Sequence, residues 1–264
     1  MSDPLRICVA VKVVPRTASP MRIDPSTTRL DRTGPAEVNS FDTYAVEEAL
    51  RLRELAGGGE VLVVSVAPAD GAESLRAVLA MGADRAVVVS DPAIVGSDLL
   101  GTSRVLAAAI APQRPSLVLF GAQSIDGAGA LLWTAVAERL ALPVVSGVRT
   151  IEVDGARVRA ARQVPGGDQL LESPLPSVVS ISGSANTPRY PSFRDIVQSK
   201  KKEISVVSLA DIGVRPEDVG TAAARTDVRA VASAPPRRTS GEVRDDEGQG
   251  AAWLTGFLAS KGLL

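Results

Sequence analysis

The sequence predicts an α/β protein built on a parallel, doubly wound sheet, with a small hairpin and an extended C-terminal arm. Three observations lead there. Short β-branched runs alternate with helix-period segments through the first half, the signature of parallel strands covered by helices on both faces. From Thr150 the pattern turns to polar/apolar alternation, as in a hairpin. From about residue 212 to 250 periodicity is lost in favour of Ala, Pro and mixed charge. At 264 residues and 45% hydrophobic content, the chain has enough apolar material for one substantial core.

The elements follow in order. Ile7 to Val11, Glu60 to Val66, Ala86 to Val89, Leu117 to Phe120 and Val144 to Val148 read as buried strands. Between the first two, Phe41, Ala45, Ala49, Leu52 and Leu55 share one face of a helix over 39–55, with Asn39 as its cap and Asp42 at its third position. Further helices are predicted over 71–81, stopped by Gly82, from Ser97 to before Pro112, and over 130–140. A hairpin across Asp154-Gly155 and a strand over 178–182 come next. A last helix over 251–261 carries Leu254, Phe257 and Leu258.

Composition excludes several functions. With no histidine, the commonest general base and metal ligand are both missing, which argues against hydrolase triads and zinc sites. A net charge of −1 and 3% aromatics offer neither the field nor the stacking platforms that nucleic acid requires. Cys8 lies in an apolar run and reads as a buried, inert thiol, compatible with a reducing cytoplasm. Asp3 and Pro4 stand where an export signal would need its basic start, and no apolar run approaches the ~20 residues that span a bilayer. The expectation is a cytoplasmic protein without membrane insertion.

Ligands of open parallel sheets gather at the carboxyl ends of the strands, where strand order reverses. Three segments meet that description: Ala10-Val11-Lys12, Ser65 to Pro68, and the loop Gly121 to Ala130. Glycines at 121, 127 and 129, followed by a helix start, suit backbone amides that cradle a phosphate. The spacing matches neither Walker A nor GxGxxG, so a phosphate site and a plain turn both remain open. Asn39 is read as a helix cap or a ligand contact, Asp126 as a loop brace or a ribose contact, and Lys12 as a phosphate contact or a strand-end charge.

The stretch from Ser184 to Ser205, SANTPRYPSFRDIVQSKKKEIS, has the composition of a docking loop. Pro188 and Pro191 restrict its backbone, so Phe193 is held at a loop tip or short-helix start at small ordering cost. Lys200, Lys201 and Lys202 add positive charge beside it, the combination that steers and grips a transient partner. A surface turn with a solvated basic end is the alternative.

With these segments laid out, the chain resembles the β subunits of electron transfer flavoproteins from about Arg6 to Leu264. The resemblance is carried by ICVAVKVVP, RIDPSTTRLDRTGPAEVNSFDTYAVEEALRLRE, LRAVLAMGADRAVVV, LVLFGAQSIDG, NTPRYPSFRDIVQSKKKEI and GFLASKGLL, in that order. It implies a sheet of the adenine-nucleotide-binding kind and a heterodimer with an α subunit. The implied role is a shuttle of electrons from acyl-CoA dehydrogenase-type flavoenzymes toward a quinone reductase, by a subunit without catalytic residues of its own. FAD would sit mainly in the α subunit and a structural AMP in this chain. Carried over residue by residue, the AMP site would use Ala10, Asn39, Val66, Gln123, Asp126, Gly127, Ala128, Gly129, Ala130, Leu131 and Leu132. Partner recognition would use Tyr190, Phe193, Ile196, Lys200, Lys201 and Lys202. The domain expectation is a nucleotide-binding core over 1–190, a recognition loop over 184–205 and an arm with a terminal helix over 206–264.

The chain departs from the family pattern at three places. Leu131 stands where a phosphate-facing glutamine is usual, and Trp133 replaces a glycine with an indole that would fill space meant for nucleotide. Pro165 follows Arg162-Gln163-Val164 where the family carries an acid, and Arg194 stands where proline is common. Two other functions compete: a flavin-bifurcating complex with a second FAD in place of AMP, and a stand-alone nucleotide-binding regulator resembling universal stress proteins.

Overall fold

The computed structural model describes residues 4–16, 21–232 and 248–264. The strands and helices run β1 (Arg6–Ala10), β2 (Val13–Pro15), β3 (Ile23–Asp24), β4 (Arg29–Leu30), β5 (Ala36–Val38), α1 (Ser40–Leu55), β6 (Glu60–Val66), α2 (Arg76–Met81), β7 (Arg85–Val89), α3 (Leu99–Ile110), β8 (Leu117–Gly121) and α4 (Leu132–Leu140). They continue with β9 (Val144–Asp154), β10 (Arg157–Val164), β11 (Gly167–Pro174), β12 (Ser177–Ile181), α5 (Phe193–Ser199), β13 (Ile204–Val207), α6 (Gly220–Ala223) and α7 (Gly250–Ser260). A 3-10 segment, Ala69–Leu75, leads into α2. Two compact units result, residues 1–229 and 230–264.

The main sheet has nine strands in the order β11-β10-β9-β12-β8-β1-β6-β7-β13. From β9 to β13 every neighbouring pair is parallel. β10 and β11 add in antiparallel fashion, so the sheet is mixed rather than wholly parallel, and the predicted hairpin is part of a three-strand meander. Its first turn is Gly155-Ala156, one residue beyond the expected place, and β9 runs unbroken through what read as a strand and a separate hairpin arm. Pro165-Gly166 turn the chain into β11, with proline's fixed φ first and a glycine φ of 99° second.

Alternation along β1 shows why the sheet is covered on both sides. Ile7 and Val9 belong to the core beneath α1 and α2, with Ala45, Ala49, Leu50, Val78 and Leu79. Cys8 and Ala10 belong to the opposite core, with Val105, Leu106, Ile110, Trp133 and Val136 of α3 and α4. Cys8 is fully buried, and burial pushes its thiol up to about 12, so it is inert at neutral pH. The buried face of α1 is rotated from the predicted one. Val46 and Leu50 are inside, while Leu55 is 69% exposed.

The residues expected to form an arm from 212 are in part tied to the first unit. Leu209, Val214 and Val219 are buried in the second core. Asp98, the cap of α3, accepts from Leu100 and Gly101 through one oxygen and from the amides of Arg225 and Thr226 through the other. β13 joins the sheet edge beside β7. The stretch 233–247 of the expected arm lies outside the described residues. In the second unit, α7 stacks Trp253 on Phe257 at 6.1 Å, and Lys261 sits over the Phe257 ring.

Candidate functional site

The order of connection reverses at β1, whose neighbours are β6 on one side and β8 on the other. The loops leaving β1 and β8 therefore diverge to opposite faces and open a crevice between them, the place where such sheets bind ligands. Of the three candidate segments, those after β1 and β8 meet there. Lys12 Nζ donates to Asp126 Oδ1 at 2.7 Å and approaches Ser124 Oγ at 3.4 Å. Arg32, brought over from the segment after the β3–β4 hairpin, pairs with the other Asp126 oxygen.

Asp126 has no exposed side-chain surface. Burial pushes its carboxyl up, but the hydrogen bond and charge of Lys12, with the Ser124 and Arg32 contacts, outweigh that and hold it at about 2. The carboxylate is a brace, held by the side chains of Lys12 and Arg32 from other segments and of Ser124 from its own loop rather than by backbone amides. Two cations around one carboxylate leave a net positive charge beside the loop.

Asn39 is the fixed point of the crevice. It is 1% exposed and makes no side-chain cap to α1. Its amide donates to the Gln123 carbonyl at 2.8 Å, and its oxygen accepts from the Ile125 amide at 3.0 Å. The expected helix cap is instead a bridge from the start of α1 to the loop after β8. Asp42, one turn on, accepts from the Lys12 amide at 2.7 Å and from the Gly121 amide, while burial pushes its carboxyl up to about 7. Gly121 is required by this closeness. A Cβ there would collide with Asp42 Oδ1 and stand 2.6 Å from the Phe41 carbonyl oxygen.

Beyond Asp126 the loop rises into solvent. Gly127, Ala128, Gly129 and Ala130 are exposed, and Leu131 is 60% exposed. Ala128 and Ala130 hold φ of 45° and 46°, a left-handed conformation disfavoured for residues with a Cβ and concentrated at sites that need it. Leu131 precedes α4 and gives its first-turn amides no side-chain acceptor. Leu132 is half-buried, and Trp133 is 9% exposed within the second core. Ala10 is buried at the end of β1, beside the crevice, whereas Val66 is half-buried at the end of β6, on the side of β1 away from β8. Arg32 and Asp42 carry no motif that marks them, since both act through partners distant in sequence.

The second candidate region, 186–202, is pinned to α1. Asn186 Nδ2 donates to the Tyr44 carbonyl at 3.0 Å and to Glu48 Oε2 at 2.9 Å. Arg189 binds Glu47 and Glu54 of the same helix. Ser192 caps α5 in a reciprocal box with Asp195, so Phe193 is the first helical residue. Tyr190 is 96% exposed, Phe193 82%, and Ile196 and Val197 45% each. Lys200 and Lys201 are exposed. Lys202 turns the other way, its ammonium bound to the Leu79 and Ala83 carbonyls at 2.9 and 2.7 Å, where it caps the end of α2. Burial, with the charge of Arg53 nearby, lowers its pKa. No helix among the described residues is long and apolar enough to cross a membrane.

Comparison with known proteins agrees with this architecture. The electron transfer flavoprotein domain model matches residues 27–212. The electron transfer flavoprotein subunit beta of Mycobacterium leprae is 37% identical over 264 residues, 98% of this chain and 99% of that protein. The caffeyl-CoA reductase-Etf complex subunit CarD of Acetobacterium woodii is 37% identical over 241 residues, 90% and 91% of the two chains. Protein FixA of Azorhizobium caulinodans is 34% identical over 224 residues, 81% and 78%. The chain belongs to the electron transfer flavoprotein family, as a β subunit, the electron-carrier kind of subunit.

Proposed function

We propose that this chain pairs with an electron transfer flavoprotein α subunit in the cytoplasm. The pair carries electrons from acyl-CoA or related dehydrogenases toward a quinone reductase. FAD, held mainly by the α subunit, supplies the redox chemistry. This chain contributes a structural AMP site and the surface that dehydrogenases touch, and it has no catalytic residue of its own. Its domains in this reading are the nucleotide-binding core of 1–190, the recognition loop of 184–205 and the segment 206–264, of which the part up to 229 belongs to the first compact unit.

The observation that carries the reading is Phe193. A phenyl ring 82% exposed at the head of a capped helix, with the exposed Tyr190 just before that helix and the exposed Lys200 and Lys201 just after it, is an anchor presented to something else. The crevice fits a nucleotide phosphate. The exposed backbone of Gly127, Gly129 and Ala130, the uncapped start of α4 and the excess positive charge of Lys12 and Arg32 all favour an anion, while the Ala128 amide is spent on the Ser124 carbonyl. Asn39 and Asp126 set the shape of that loop from beneath. Trp133 lies in the core, which leaves Leu131 as the apolar side chain at the loop itself.

Two measurements test the reading. Extraction of the purified heterodimer should release one FAD and one AMP. Flavin without AMP overturns the nucleotide assignment, and two flavins establish the bifurcating arrangement in its place. Phe193→Ala should slow electron transfer from an acyl-CoA dehydrogenase at unchanged flavin content. An anchor of this kind contributes about 2 kcal/mol, or roughly 30-fold in apparent affinity. An unchanged rate removes Phe193 as the anchor.

A further inference from the structure

We propose that Arg189 is the positioning residue of the docking segment, holding Tyr190 and Phe193 in the pose that a partner flavoenzyme meets. The inference rests on the docking reading of 186–202. Tyr190, at 96% exposure, has almost no packing to fix its direction, so the backbone on either side must do it. On the far side, Pro191 restricts φ and the Ser192–Asp195 box starts α5. On the near side there is Arg189.

Arg189 is bound through both its main chain and its side chain. Its backbone amide donates to Glu47 Oε2 at 3.0 Å. Nε donates to both Glu47 oxygens at 3.2 and 2.9 Å, and Nη2 to Oε1 at 2.9 Å. Nη1 and Nη2 then reach Glu54 at 2.7 and 3.3 Å. The two glutamates are two turns apart on α1, about 10 Å along the axis at their backbones, so their side chains converge on separate edges of one forked guanidinium, an arrangement that a point-like ammonium does not offer. Glu47 is sheltered, with 12% of its side chain exposed, and Glu54 is open at 52%, so one half of the grip resists salt and the other is screened.

The helix that receives these bonds is itself fixed. Glu48 is 2% exposed and shared between Asn186 and Arg51, whose guanidinium also donates to the Ile151 carbonyl. Asn186 and Arg189 thus fasten the segment to a buried support at two points, and the next side chain is the exposed tyrosine. Preorganisation of this sort raises affinity because the segment is ordered before contact.

The test uses the flavin-loaded heterodimer as electron acceptor for a purified medium-chain acyl-CoA dehydrogenase. Arg189→Gln should raise the KM for the heterodimer about 10-fold at unchanged kcat and flavin content. It should also speed amide hydrogen exchange in peptides covering 187–194 while α1 stays protected. Arg189→Lys should recover only part of the loss, and Glu54→Gln, at the exposed half of the grip, should produce a smaller rise. Phe193→Ala should matter less in the Arg189→Gln background than alone, because both changes act on one pose. If Phe193→Ala raises KM and Arg189→Gln does not, or if exchange quickens without a change in KM, positioning by Arg189 is refuted and the docking reading stands. If Phe193→Ala has no effect, the docking reading fails and this inference with it. A general structural role is the answer if Arg189→Gln lowers flavin content or loosens α1, and that result also overturns the proposal.

Discussion

Replacing Asn39 with aspartate separates two roles that the sequence leaves open. Asparagine and aspartate are nearly equivalent as helix caps, and aspartate also suits the positive end of the helix dipole, so a capping residue would tolerate the change. In the crevice Asn39 must donate to the Gln123 carbonyl and accept from the Ile125 amide at once. Aspartate keeps the second bond, loses the first and sets a carboxylate against a carbonyl oxygen. At 1% exposure no water replaces the lost donor, so Asn39→Asp should cost about 1–3 kcal/mol. Asn39→Ala removes both bonds and should cost somewhat more. For a chain of this size each kcal/mol lowers Tm by about 2–4 °C, which puts Asn39→Asp roughly 2–12 °C below the native protein. Thermal melts and hydrogen exchange of peptides spanning 122–130 read the global and local effects. An Asn39→Asp protein that melts within about 1 °C of native with unchanged exchange at 122–130 refutes the bridge and restores the cap.

Two further substitutions probe the same region. Burial raises Asp42 to about 7 from its ordinary 3.8, so the folded chain holds this proton more tightly than the unfolded one. Its contribution to stability is full below pH 3.8 and declines as pH rises toward 7. Asp42→Asn should remove that decline, and parallel urea stability curves for the two proteins between pH 4 and 7 contradict the assignment. Gly121→Ala drives a methyl into Asp42 and the Phe41 carbonyl and should cost about 2 kcal/mol or more, read by urea midpoint. A loss under about 0.5 kcal/mol shows that α1 and β8 are not in tight contact there.

The central strands were legible because both of their faces are buried. β1, β6, β7, β8 and β12 are short, mostly apolar runs, each with at least two of Val, Ile and Leu, the pattern such strands require. β11 and β13 were not. Gly167–Pro174 is mostly exposed and carries charge and glycine, and Ile204–Val207 sits at the opposite edge, where one neighbour suffices and the apolar signal is short. The loop after β8 could be found from its glycines and its place after a buried strand. Its support could not, because Asn39, Asp42, Lys12 and Arg32 act on partners that only the fold brings near. Lys202 shows the same limit in the docking segment, since a sequence shows three adjacent lysines and not the helix end that captures one of them.

The position of β1 also has a consequence for synthesis. Ala10 pairs with Val64 on one side and Phe120 on the other, so β1 waits during synthesis for partners made much later. At roughly 5–20 residues per second, the interval before β8 emerges is on the order of ten seconds. Throughout that time one edge of an apolar parallel strand is unpaired, and neither Lys12 nor Asn39 has yet met its loop. Nascent chains stalled before residue 117 should therefore be the most dependent on chaperones, and those carried past residue 126 the first able to close the crevice.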